Sequence, residues 1–478
     1  MSRRTKIVCT LGPASTDAKV LARMIEAGMD VVRINFSHGT SEEHAKRVEM
    51  IRTLARAAQR TIGVLMDLQG PKIRIGKFES GKTILKPGAT FVLDAACKLG
   101  DDERVGLDYA DLPNDVRPGD TLLLNDGLLV LSVTRVEGQQ IVTTVEQGGV
   151  LSNNKGINRK GGGLTAPALT EKDIEDIRIA AELKADYLGV SFPRSGADIE
   201  WARDLLHKAG GRALICAKIE RAEAIIALEE IVDASDVIMV ARGDLAVEVG
   251  DAVIPALQKR MIRMSRAKNK LVITATQMME SMINSPIPTR AEVSDCANAV
   301  LDGTDAVMTS AETAAGQYPV ETVQAMARVC IEAEKADGSA VEQRRAESES
   351  SRDVESAIGR AVMSTANYLP IKAIAALTQS GKTAQLMSRN DSAVPIYALS
   401  PLVETRRRVT LFRGVYPVNF AVKSKDPEET MNAAEDELLK RGAVHEGDLI
   451  IITIGEPFGK AGGTNTMKIV RVGEHRKP

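Results

Sequence analysis

Two acidic and two basic residues stand where short apolar runs of this sequence end, and their types suit chemistry on a phosphorylated substrate. Glu220 and Asp244 supply oxygen ligands, which suit a hard divalent cation such as Mg²⁺ or Mn²⁺. Arg33 and Lys218 suit the binding of a phosphorylated anion. A lysine beside a metal ligand is placed to stabilise the charge that builds up on a transferring phosphoryl group.

Polar groups also end the other apolar runs. Asp67 is followed at once by a Gly-Pro turn and by Lys72 and Arg74, so fixed positive charges accompany this carboxylate. Residues two apart on a strand share a face, which predicts that Lys218 and Glu220 point together. A surface salt bridge would explain any one of these residues alone, but so many polar ends favour a functional site. The other polar ends are Asn35, Ser37, Ser191, Arg242, Gly243, Thr274, Thr276, Ser310 and Glu312.

The elements that carry these ends are eight apolar runs separated by helical patterns. Near-continuous apolar strands that alternate with helices predict a parallel sheet covered on both faces, and eight such units favour a (β/α)₈ barrel. An open doubly wound sheet is the alternative. The first two helices are predicted over Thr16–Met29, with Thr16 as N-cap, and over Ser41–Arg60. The runs are Lys6–Gly12, Asp30–Ser37, Gly63–Gly70, Ala185–Phe192, Arg212–Glu220, Asp236–Leu245, Lys270–Gln277 and Asp305–Glu312.

Two segments interrupt the alternation and predict two further domains. Residues 71–168 have the pattern of short strands joined by Gly and Asn turns, with hairpin signals at Asn125–Gly127 and Glu137–Gln139. An all-β insertion after strand three predicts a lid over the barrel's active-site face, with a passive β module as the alternative. The polar stretch 336–351 predicts a linker to a separate α/β domain. The predicted domains are the barrel at 1–70 and 169–338, the lid at 71–168 and the C-terminal domain at 345–478.

Composition argues against several classes of protein. The 478 residues include 62 Lys and Arg against 64 Asp and Glu, so a net charge of −2 gives no electrostatic footprint for nucleic acid or an anionic membrane. Five cysteines without a C-x-x-C pair predict neither a disulfide framework nor a zinc site. Without a signal-type apolar region or an apolar run of about 18 residues, a cytoplasmic location is expected.

Three weaker signals leave alternatives open. The SGKT stretch at Ser380–Thr383 resembles the end of a Walker A motif, but Ala376 stands where its first glycine belongs, so it is not that motif. A turn of this type either holds phosphate or simply caps a helix. His38 is interpreted as a polar surface or capping residue rather than a catalytic one. The basic run Glu404–Val409 predicts a solvated or interface helix face.

A series of motifs in order from Cys9 to Met467 resembles the pyruvate kinase family. The motifs are CTLGPAS, RINFSHG, MDLQGPKIRIG, NDG, NKGIN, AKIERAEA, VARGDLAVE, TATQMMESM, PTRAEVSDCANAVLDGTDAVMTSAETAAGQYP and GGTNTM. The resemblance covers nearly the whole chain and implies a (β/α)₈ barrel, a β-barrel lid after strand three and a C-terminal α/β domain. It also implies reversible phosphoryl transfer between phosphoenolpyruvate and ADP, giving pyruvate and ATP as the final step of glycolysis.

The resemblance also implies roles for individual residues. Lys218 resembles the lysine that stabilises the transferring phosphoryl group, and Glu220 and Asp244 resemble the ligands of Mg²⁺ or Mn²⁺. Arg33 and Arg74 resemble phosphate-contacting arginines. The remaining implied positions are Asn35, Arg74 and Lys155 for the nucleotide, Ser191 with the Gly243 and Asp244 N–H groups for the substrate, Thr276 at the face where the enolate is protonated, and Ser310 and Glu312 in a proton-relay water network.

The potassium site of the family is altered in this sequence. Many members bind K⁺ through Asn, Ser, Asp and Thr side chains; Asn35, Ser37 and Asp67 are kept here, but Leu68 replaces the threonine. Lys72 replaces a glutamate. Loss of a ligand together with gain of a charge resembles the K⁺-independent branch, in which the lysine ammonium supplies the charge of the ion. The alternative is that Lys72 points to solvent.

The C-terminal domain resembles the family's effector module. Leu377–Ala384 matches the loop that holds a sugar-phosphate group in regulated members, with Gly455–Thr466 as a covering loop. Lys382 stands where many members have arginine, so the bidentate fork is lost. The resemblance implies a phosphorylated allosteric activator and a homotetramer. The expected effector residues are Thr378, Ser380, Gly381, Lys382 and Thr383.

Two other functions are compatible with parts of this pattern. A barrel enzyme of carbon chemistry, such as an aldolase with a metal-bound enolate, would need neither the lid nor a nucleotide contact at Lys155. A regulatory binding protein with an inactive site would lack Lys218, Glu220 or Asp244, and all three are present. The sequence therefore favours an active phosphotransferase.

Overall fold

The computed structural model describes residues 3–336, 353–424, 426–456 and 463–476, and its strands and helices alternate as the apolar pattern predicted. The strands are β1 Lys6–Thr10, β2 Val31–Asn35, β3 Gly63–Asp67, β4 Lys82–Leu85, β5 Thr90–Asp94, β6 Arg104–Val105, β7 Thr121–Leu124, β8 Leu129–Glu137, β9 Gln140–Gln147, β10 Gly149–Ser152, β11 Ile157–Arg159, β12 Tyr187–Val190, β13 Leu214–Ile219, β14 Val237–Ala241, β15 Leu271–Ala275, β16 Ala306–Thr309, β17 Ile371–Leu377, β18 Ile396–Ser400, β19 Val415–Asn419, β20 Leu449–Gly455 and β21 Thr464–Arg471. The α-helices are α1 Ala18–Ala27, α2 Ser41–Ala57, α3 Leu112–Asp115, α4 Glu171–Glu182, α5 Gly196–Lys208, α6 Ala222–Ile226, α7 Leu228–Ala234, α8 Arg242–Val249, α9 Ile254–Ala267, α10 Arg290–Leu301, α11 Ala311–Ala314, α12 Pro319–Ala336, α13 Val354–Tyr368, α14 Lys382–Ser388, α15 Val403–Arg408 and α16 Pro427–Lys440.

Eight of these strands close into a parallel barrel in the order β1-β16-β15-β14-β13-β12-β3-β2. This confirms the (β/α)₈ prediction and excludes the open doubly wound sheet. All eight strands run the same way, so their carboxyl ends meet at one face of the barrel. That face is where the polar residues that follow the strands must gather.

The barrel strands are apolar on both faces because each face packs against a different layer. Ile7 and Val64 pack toward the surrounding helices, whereas their neighbours Val8 and Leu65 pack inside the barrel. The inner core continues without a break into the C-terminal domain, where it includes Phe412. The C-terminal domain therefore closes one end of the barrel and leaves the opposite end for a site.

The start of the first helix differs from the prediction. Asp17, not Thr16, is the N-cap of α1, and its carboxylate accepts hydrogen bonds from the N–H groups of Lys19 and Val20 at 2.7 and 3.1 Å. Thr16 instead donates its hydroxyl to the Pro13 carbonyl at 3.0 Å. An aspartate at the cap satisfies two free N–H groups with one charged side chain, which makes it the better cap.

The lid lies between β3 and β12 and contains strands β4 to β11, as the insertion predicted. Both predicted hairpins are present: the Asn125–Gly127 turn joins β7 to β8, and the Glu137–Gln139 segment joins β8 to β9. Asn125, Asp126 and Gly127 have φ values of 51°, 56° and 85°. Asn, Asp and Gly tolerate such positive φ values best. The resemblance implied a β-barrel lid, but the strands form one six-stranded sheet, β11-β7-β8-β9-β5-β6, and a separate β10-β4 ladder.

The C-terminal domain is built on a five-stranded sheet in the order β19-β18-β17-β20-β21, with β21 antiparallel to its neighbour. The sheet and its flanking helices confirm the α/β class predicted for this domain. The predicted linker at 336–351 lies outside the described residues except for Ala336, as do residues 457–462 of the predicted covering loop. Among the described residues, no helix is long and apolar enough to cross a membrane.

A buried ion pair joins the C-terminal domain to the barrel. Arg389, which follows α14, forms a two-pronged pair with Asp305 at the start of β16, with 2.8 Å from Nη1 to Oδ2 and a second contact from Nη2 to Oδ1. Asp305 is fully buried and also accepts a hydrogen bond from the Val272 N–H at 2.9 Å. The two domains are thus held in register by a paired buried charge.

Replacing Arg389 with Met should lower the free energy of unfolding by about 3 kcal/mol, because Asp305 would remain buried without its cation. Urea unfolding followed by circular dichroism measures the change. Arg178→Met is the matched control, since Arg178 and Glu175 form an ion pair at 2.9 Å with both side chains more than half exposed, and its loss should cost under about 1 kcal/mol. Equal losses in the two variants would contradict the role assigned to the buried pair.

Candidate active site

Lys218 lies at the centre of the polar cluster at the carboxyl ends of the barrel strands. Its ammonium donates to the Ser191 hydroxyl at 2.7 Å and pairs with the carboxylates of Glu220 at 2.9 Å and Asp67 at 3.3 Å. The side chain is only 7% exposed. Burial lowers the pKa of Lys218, but Asp67 and Glu220 more than offset this, so the pKa is raised and the group stays positively charged.

Arg33 shares the Asp67 carboxylate with Lys218. Its Nε and Nη2 lie 2.6 and 2.5 Å from Asp67 Oδ2, and its Nη1 donates to the Thr10 hydroxyl at 3.1 Å. Burial acts to raise the pKa of Asp67, but the two cations lower it below its usual value. Asp67 is therefore a fully buried anion, and its Oδ1 has no hydrogen-bond partner.

The two candidate metal ligands lie on adjacent segments. Glu220 follows β13, is 2% exposed, and its Oε2 accepts from the Phe192 N–H at 3.0 Å. Asp244 was predicted at the end of a strand, but β14 ends at Ala241, and Asp244 lies in the first turn of α8. A carboxylate is favoured there because it faces the positive end of the helix dipole.

Their electrostatics fit a hard divalent cation. Burial raises the pKa of Glu220, and the nearby charges of Asp244 and Asp67 raise it further, although Lys218 acts in the opposite direction. Two carboxylates that repel each other in a buried site are stabilised when a cation lies between them. Only oxygens are offered by these two side chains, which matches Mg²⁺ or Mn²⁺ rather than a softer metal.

The first turn of α8 carries backbone N–H groups that have no acceptor within the helix. One of them, at Gly243, donates to the Thr276 hydroxyl at 2.8 Å, which brings these two predicted substrate residues together. Arg242 fixes the turn from behind through Asp295 at 2.7 Å and the Thr276 carbonyl at 2.7 Å. A helix N-terminus with oriented N–H groups suits a carboxylate or phosphate.

Thr276 adopts a strained backbone conformation. It follows β15 and has φ of 67°, and the next residue, Gln277, has φ of 55°. A β-branched residue avoids the left-handed region, so the surrounding contacts must hold this geometry. Strain of this kind is typical of functional sites.

The sequence predicted Ser310 and Glu312 at the end of a strand, but β16 ends at Thr309, and Glu312 lies in the short helix α11. Ser310 is the residue before the helix, and its N–H donates to Glu312 Oε2 at 2.6 Å. Glu312 also accepts from the Met279 N–H at 3.2 Å, which ties α11 to the segment after Thr276. Burial raises the pKa of Glu312, so this carboxyl is a better proton carrier near neutral pH than an exposed one.

Lys72 does not point freely to solvent. Its side chain is 22% exposed, and its ammonium lies 2.8 Å from Asp244 Oδ1 and 3.6 Å from Asp126 Oδ1 of the lid. The sequence predicted that the charge of Lys72 lies beside Asp67. Among the described residues, however, Lys72 forms no ion pair with Asp67. The positive charge of Lys72 is therefore located beside Asp244.

The other residues of the predicted potassium site offer few unengaged side-chain oxygens to a cation. Leu68 is 1% exposed and offers no side-chain oxygen. Asn35 lies opposite Asp67 in the register of β2 and β3, and its Oδ1 accepts from the Ser37 N–H at 3.0 Å. The oxygens of Asn35 and Asp67 are thus engaged by donors of the chain itself, apart from Asp67 Oδ1.

Arg74 and Lys155, the predicted nucleotide residues, are brought together in the lid. Arg74 pairs with Gly156 as an antiparallel bridge, and the Lys155 carbonyl accepts from the Ile75 N–H at 2.9 Å. The Arg74 guanidinium donates to the Asn154 carbonyl at 3.1 Å. Both cations therefore belong to the lid's edge next to its hinge, whereas His38 is exposed on the loop after β2.

The predicted effector residues surround the start of α14. Gly381 has φ of 86° and donates its N–H to the Thr378 hydroxyl at 2.9 Å, and Lys382 donates its N–H to Ser380 at 3.3 Å. Thr383 is buried and bonded to the Thr464 hydroxyl at 2.6 Å. The Lys382 ammonium forms an ion pair with Glu355 at 3.1 Å. Its positive charge is therefore already paired with a carboxylate of the same chain.

Sequence reasoning missed three residues of this region: Thr10, Arg221 and Glu248. Thr10 ends β1 and bonds Arg33, a position that the strand pattern alone could have identified. Arg221 is 4% exposed and donates to the carbonyls of Phe192 and Leu164 at 3.4 and 3.0 Å. Glu248 lies four residues after Asp244 on the same side of α8, a spacing that the sequence does contain.

Comparisons with known proteins agree with this geometry. The family model described as "Pyruvate kinase, barrel domain" matches residues 2–323, and the one described as "Pyruvate kinase, alpha/beta domain" matches residues 356–470. The chain is 52% identical over 476 residues to pyruvate kinase II of Salmonella typhimurium, covering 98% of this chain and 99% of that protein. It is 52% identical over 459 residues to the pyruvate kinase of Haemophilus influenzae, covering 95% and 96% of the two chains. It is 43% identical over 474 residues to the pyruvate kinase of Geobacillus stearothermophilus, covering 98% of this chain and 80% of that protein. The chain therefore belongs to the pyruvate kinase family of phosphotransferases.

Proposed function

We propose that this enzyme transfers the phosphoryl group of phosphoenolpyruvate to ADP, with Lys218 as the central catalytic residue. The observation that supports this most strongly is the buried Lys218 ammonium, held by Asp67, Ser191 and Glu220 at the carboxyl face of the barrel. A fixed charge there can stabilise a phosphoryl group in transit. The family establishes the reaction class, and the residue roles are our proposal.

Glu220 and Asp244 would hold the divalent cation, Mg²⁺ or Mn²⁺. When bound, this ion supplies positive charge to the oxygens of the substrate and of the leaving enolate. The chain's own residues prepare that site. The Phe192 N–H orients Glu220 at 3.0 Å, and the first turn of α8 carries Asp244.

The substrate's two charged groups have separate partners in the proposal. The N-terminal N–H groups of α8 bind the carboxylate, because they carry the positive end of the helix dipole. Arg33 and Lys218 bind the phosphate, since both cations are fixed by Asp67. Arg74 and Lys155 of the lid, with Asn35, bind the phosphates of the nucleotide.

The chemical change then needs two steps. The bond between phosphorus and the enol oxygen breaks as a β-phosphate oxygen of ADP bonds to phosphorus, and Lys218 stays hydrogen-bonded to the phosphoryl oxygens throughout. The resulting enolate takes a proton at carbon, at the face beside Thr276. Glu312 and Ser310 lie next to that segment and are proposed to pass the proton through water.

The lid would exclude bulk water from this transfer. Its Asn125–Gly127 turn lies near the barrel, because Asp126 shares the Lys72 ammonium with Asp244. Water in the site would accept the phosphoryl group in place of ADP, so a closed lid protects the yield of ATP.

We also propose that the enzyme works without K⁺. The Lys72 ammonium adds a positive charge beside Asp244, and the buried apolar side chain of Leu68 offers no oxygen to a K⁺ ion. Burial alone acts to lower the pKa of Lys72, but Asp244 raises it above its usual value, so the charge is permanent at physiological pH.

The regulatory and assembly proposals rest on the family resemblance. A phosphorylated activator would bind at Thr378, Ser380, Gly381, Lys382 and Thr383, and the enzyme would be a cytoplasmic homotetramer. Gly381 has a left-handed backbone conformation at the start of α14, and its neighbours Ser380 and Lys382 are exposed to a ligand from solvent.

Replacing Lys218 with Met should reduce kcat by about a thousandfold or more, the scale of losing a central charge in transition-state stabilisation. Mn²⁺ binding, followed by electron paramagnetic resonance, should persist because Glu220 and Asp244 remain. Lys208→Met, at the exposed end of α5, is the control and should leave kcat unchanged. Turnover within tenfold of the wild type in Lys218→Met would refute the role of Lys218.

Activity measured with tetramethylammonium as the only monovalent cation should rise by less than about threefold when KCl is added, since Lys72 supplies a fixed charge. The double variant Leu68→Thr with Lys72→Glu should lose at least about tenfold in activity without K⁺ and recover it with K⁺, because it restores an oxygen-lined site. A wild-type response of tenfold or more to KCl would sink the proposal.

A thermal-shift screen of sugar phosphates and nucleotides should find a compound that raises the unfolding temperature, because binding to the folded state alone stabilises it. Lys382→Met should abolish that shift. An equal shift in Lys382→Met would place the binding site elsewhere.

Light scattering should give the mass of four copies of the chain. A monomer or dimer would refute the tetramer.

A further inference from the structure

Glu248 lies where three segments of the site meet, although none of the reaction steps uses it. It belongs to the second turn of α8, and its side chain is 4% exposed. Its Oε2 accepts from the Ala222 N–H at 2.9 Å, and its Oε1 accepts from the Asn158 side-chain amide at 3.2 Å. Its own carbonyl accepts from the Gly161 N–H at 3.0 Å.

We propose that Glu248 is a positioning residue that fixes the two candidate metal-ligand segments relative to each other and fastens the lid to the barrel. This inference rests on the proposed roles of Glu220 and Asp244. Ala222 comes two residues after Glu220, and Asp244 lies one helical turn before Glu248 on α8. One carboxylate therefore connects the two segments that would hold the ion.

The partners of Glu248 show why geometry rather than charge is its contribution. Both side-chain hydrogen bonds come from neutral donors, a backbone N–H and a carboxamide. Among the described residues, its carboxylate forms no ion pair. Neutral donors fix the direction of a buried carboxylate, and an unfilled acceptor there would cost stability. The structural contribution of the Glu248 side chain is therefore these two contacts.

The same residue reaches the return hinge of the lid. Asn158 is in β11, the last lid strand, and Gly161 follows it. A pocket beside Glu248 is lined by the entering hinge at Pro71, Lys72 and Ile73 and by the leaving hinge at Leu164 and Ala166. Glu248 thus holds the leaving hinge at a point beside the entering one.

Four substitutions separate the effects of the contacts that Glu248 makes with Ala222 and Asn158. Glu248→Met keeps the side-chain length but removes both acceptors. Glu248→Gln keeps one oxygen for Ala222, and its amide can donate to Asn158 once that side chain turns over. Ala222→Pro removes only the N–H donor, at the first position of α6, where proline is well tolerated. Asn158→Ala removes only the lid contact.

Three measurements on the full-length protein report the outcome. Mn²⁺ is the probe of the metal site, and its affinity without substrate is measured by electron paramagnetic resonance. Lid mobility is measured as the rate of limited proteolysis in the 71–168 segment. Steady-state kinetics then separates the apparent KM for the metal from kcat at saturating metal. Glu229→Met, whose side chain is 74% exposed on α7, is the matched control.

Glu248→Met and Ala222→Pro should weaken Mn²⁺ binding about tenfold and raise the KM for the metal with a smaller change in kcat. Glu248→Gln should stay within about threefold, and Asn158→Ala should speed lid proteolysis with little effect on Mn²⁺ affinity. Glu229→Met should change neither quantity. Ala222→Pro keeps the inference testable if Glu248→Met does not fold.

Unchanged Mn²⁺ affinity in both Glu248→Met and Ala222→Pro would overturn the inference. So would an effect in Glu248→Gln as large as that in Glu248→Met, because hydrogen-bond geometry would then not be what matters. Neither Mn²⁺ affinity nor the rate of lid proteolysis depends on turnover. A wild-type protein that fails to make pyruvate would count against the proposed function, not against the role of Glu248.

Discussion

The structure of this site depends on a buried lysine ammonium at the carboxyl ends of the barrel strands. Lys218 is 7% exposed, and such a charge is stable only when it is paired and hydrogen-bonded. Asp67, fully buried, meets that need for both Lys218 and Arg33. Removing Asp67 would leave two cations without their shared anion, so the arrangement of both cations depends on one carboxylate on β3.

The barrel makes this arrangement possible because it brings distant residues to one edge. Arg33, Asp67 and Lys218 come from β2, β3 and β13, yet nitrogens of Arg33 and Lys218 lie within 3.3 Å of the Asp67 carboxylate. The opposite end is closed by the C-terminal domain, whose apolar core continues that of the barrel. Charge is therefore concentrated at the end from which the lid segment extends, where burial strengthens electrostatic interactions.

Much of this could be predicted from the sequence, because apolar runs that alternate with helices leave a strong pattern. The eight strands, the two lid hairpins and the meeting of Lys218 with Glu220 all depend on local spacing. Other features depend on contacts between distant segments. Asp244 begins a helix rather than ending a strand, Lys72 reaches Asp244 rather than Asp67, and the roles of Thr10 and Glu248 require their partners to be known. Local pattern could not decide these because each partner lies in another element.

The most direct test of the central claim is the stoichiometry of the reaction under one set of conditions. Pyruvate, ATP and inorganic phosphate are measured together from phosphoenolpyruvate, ADP and Mg²⁺, with lactate dehydrogenase reporting pyruvate. Phosphoryl transfer to ADP beneath a closed lid predicts equal amounts of pyruvate and ATP, no release of inorganic phosphate, and no product when ADP or Mg²⁺ is left out. Pyruvate formed without ADP, or accompanied by an equal amount of phosphate, would contradict the account.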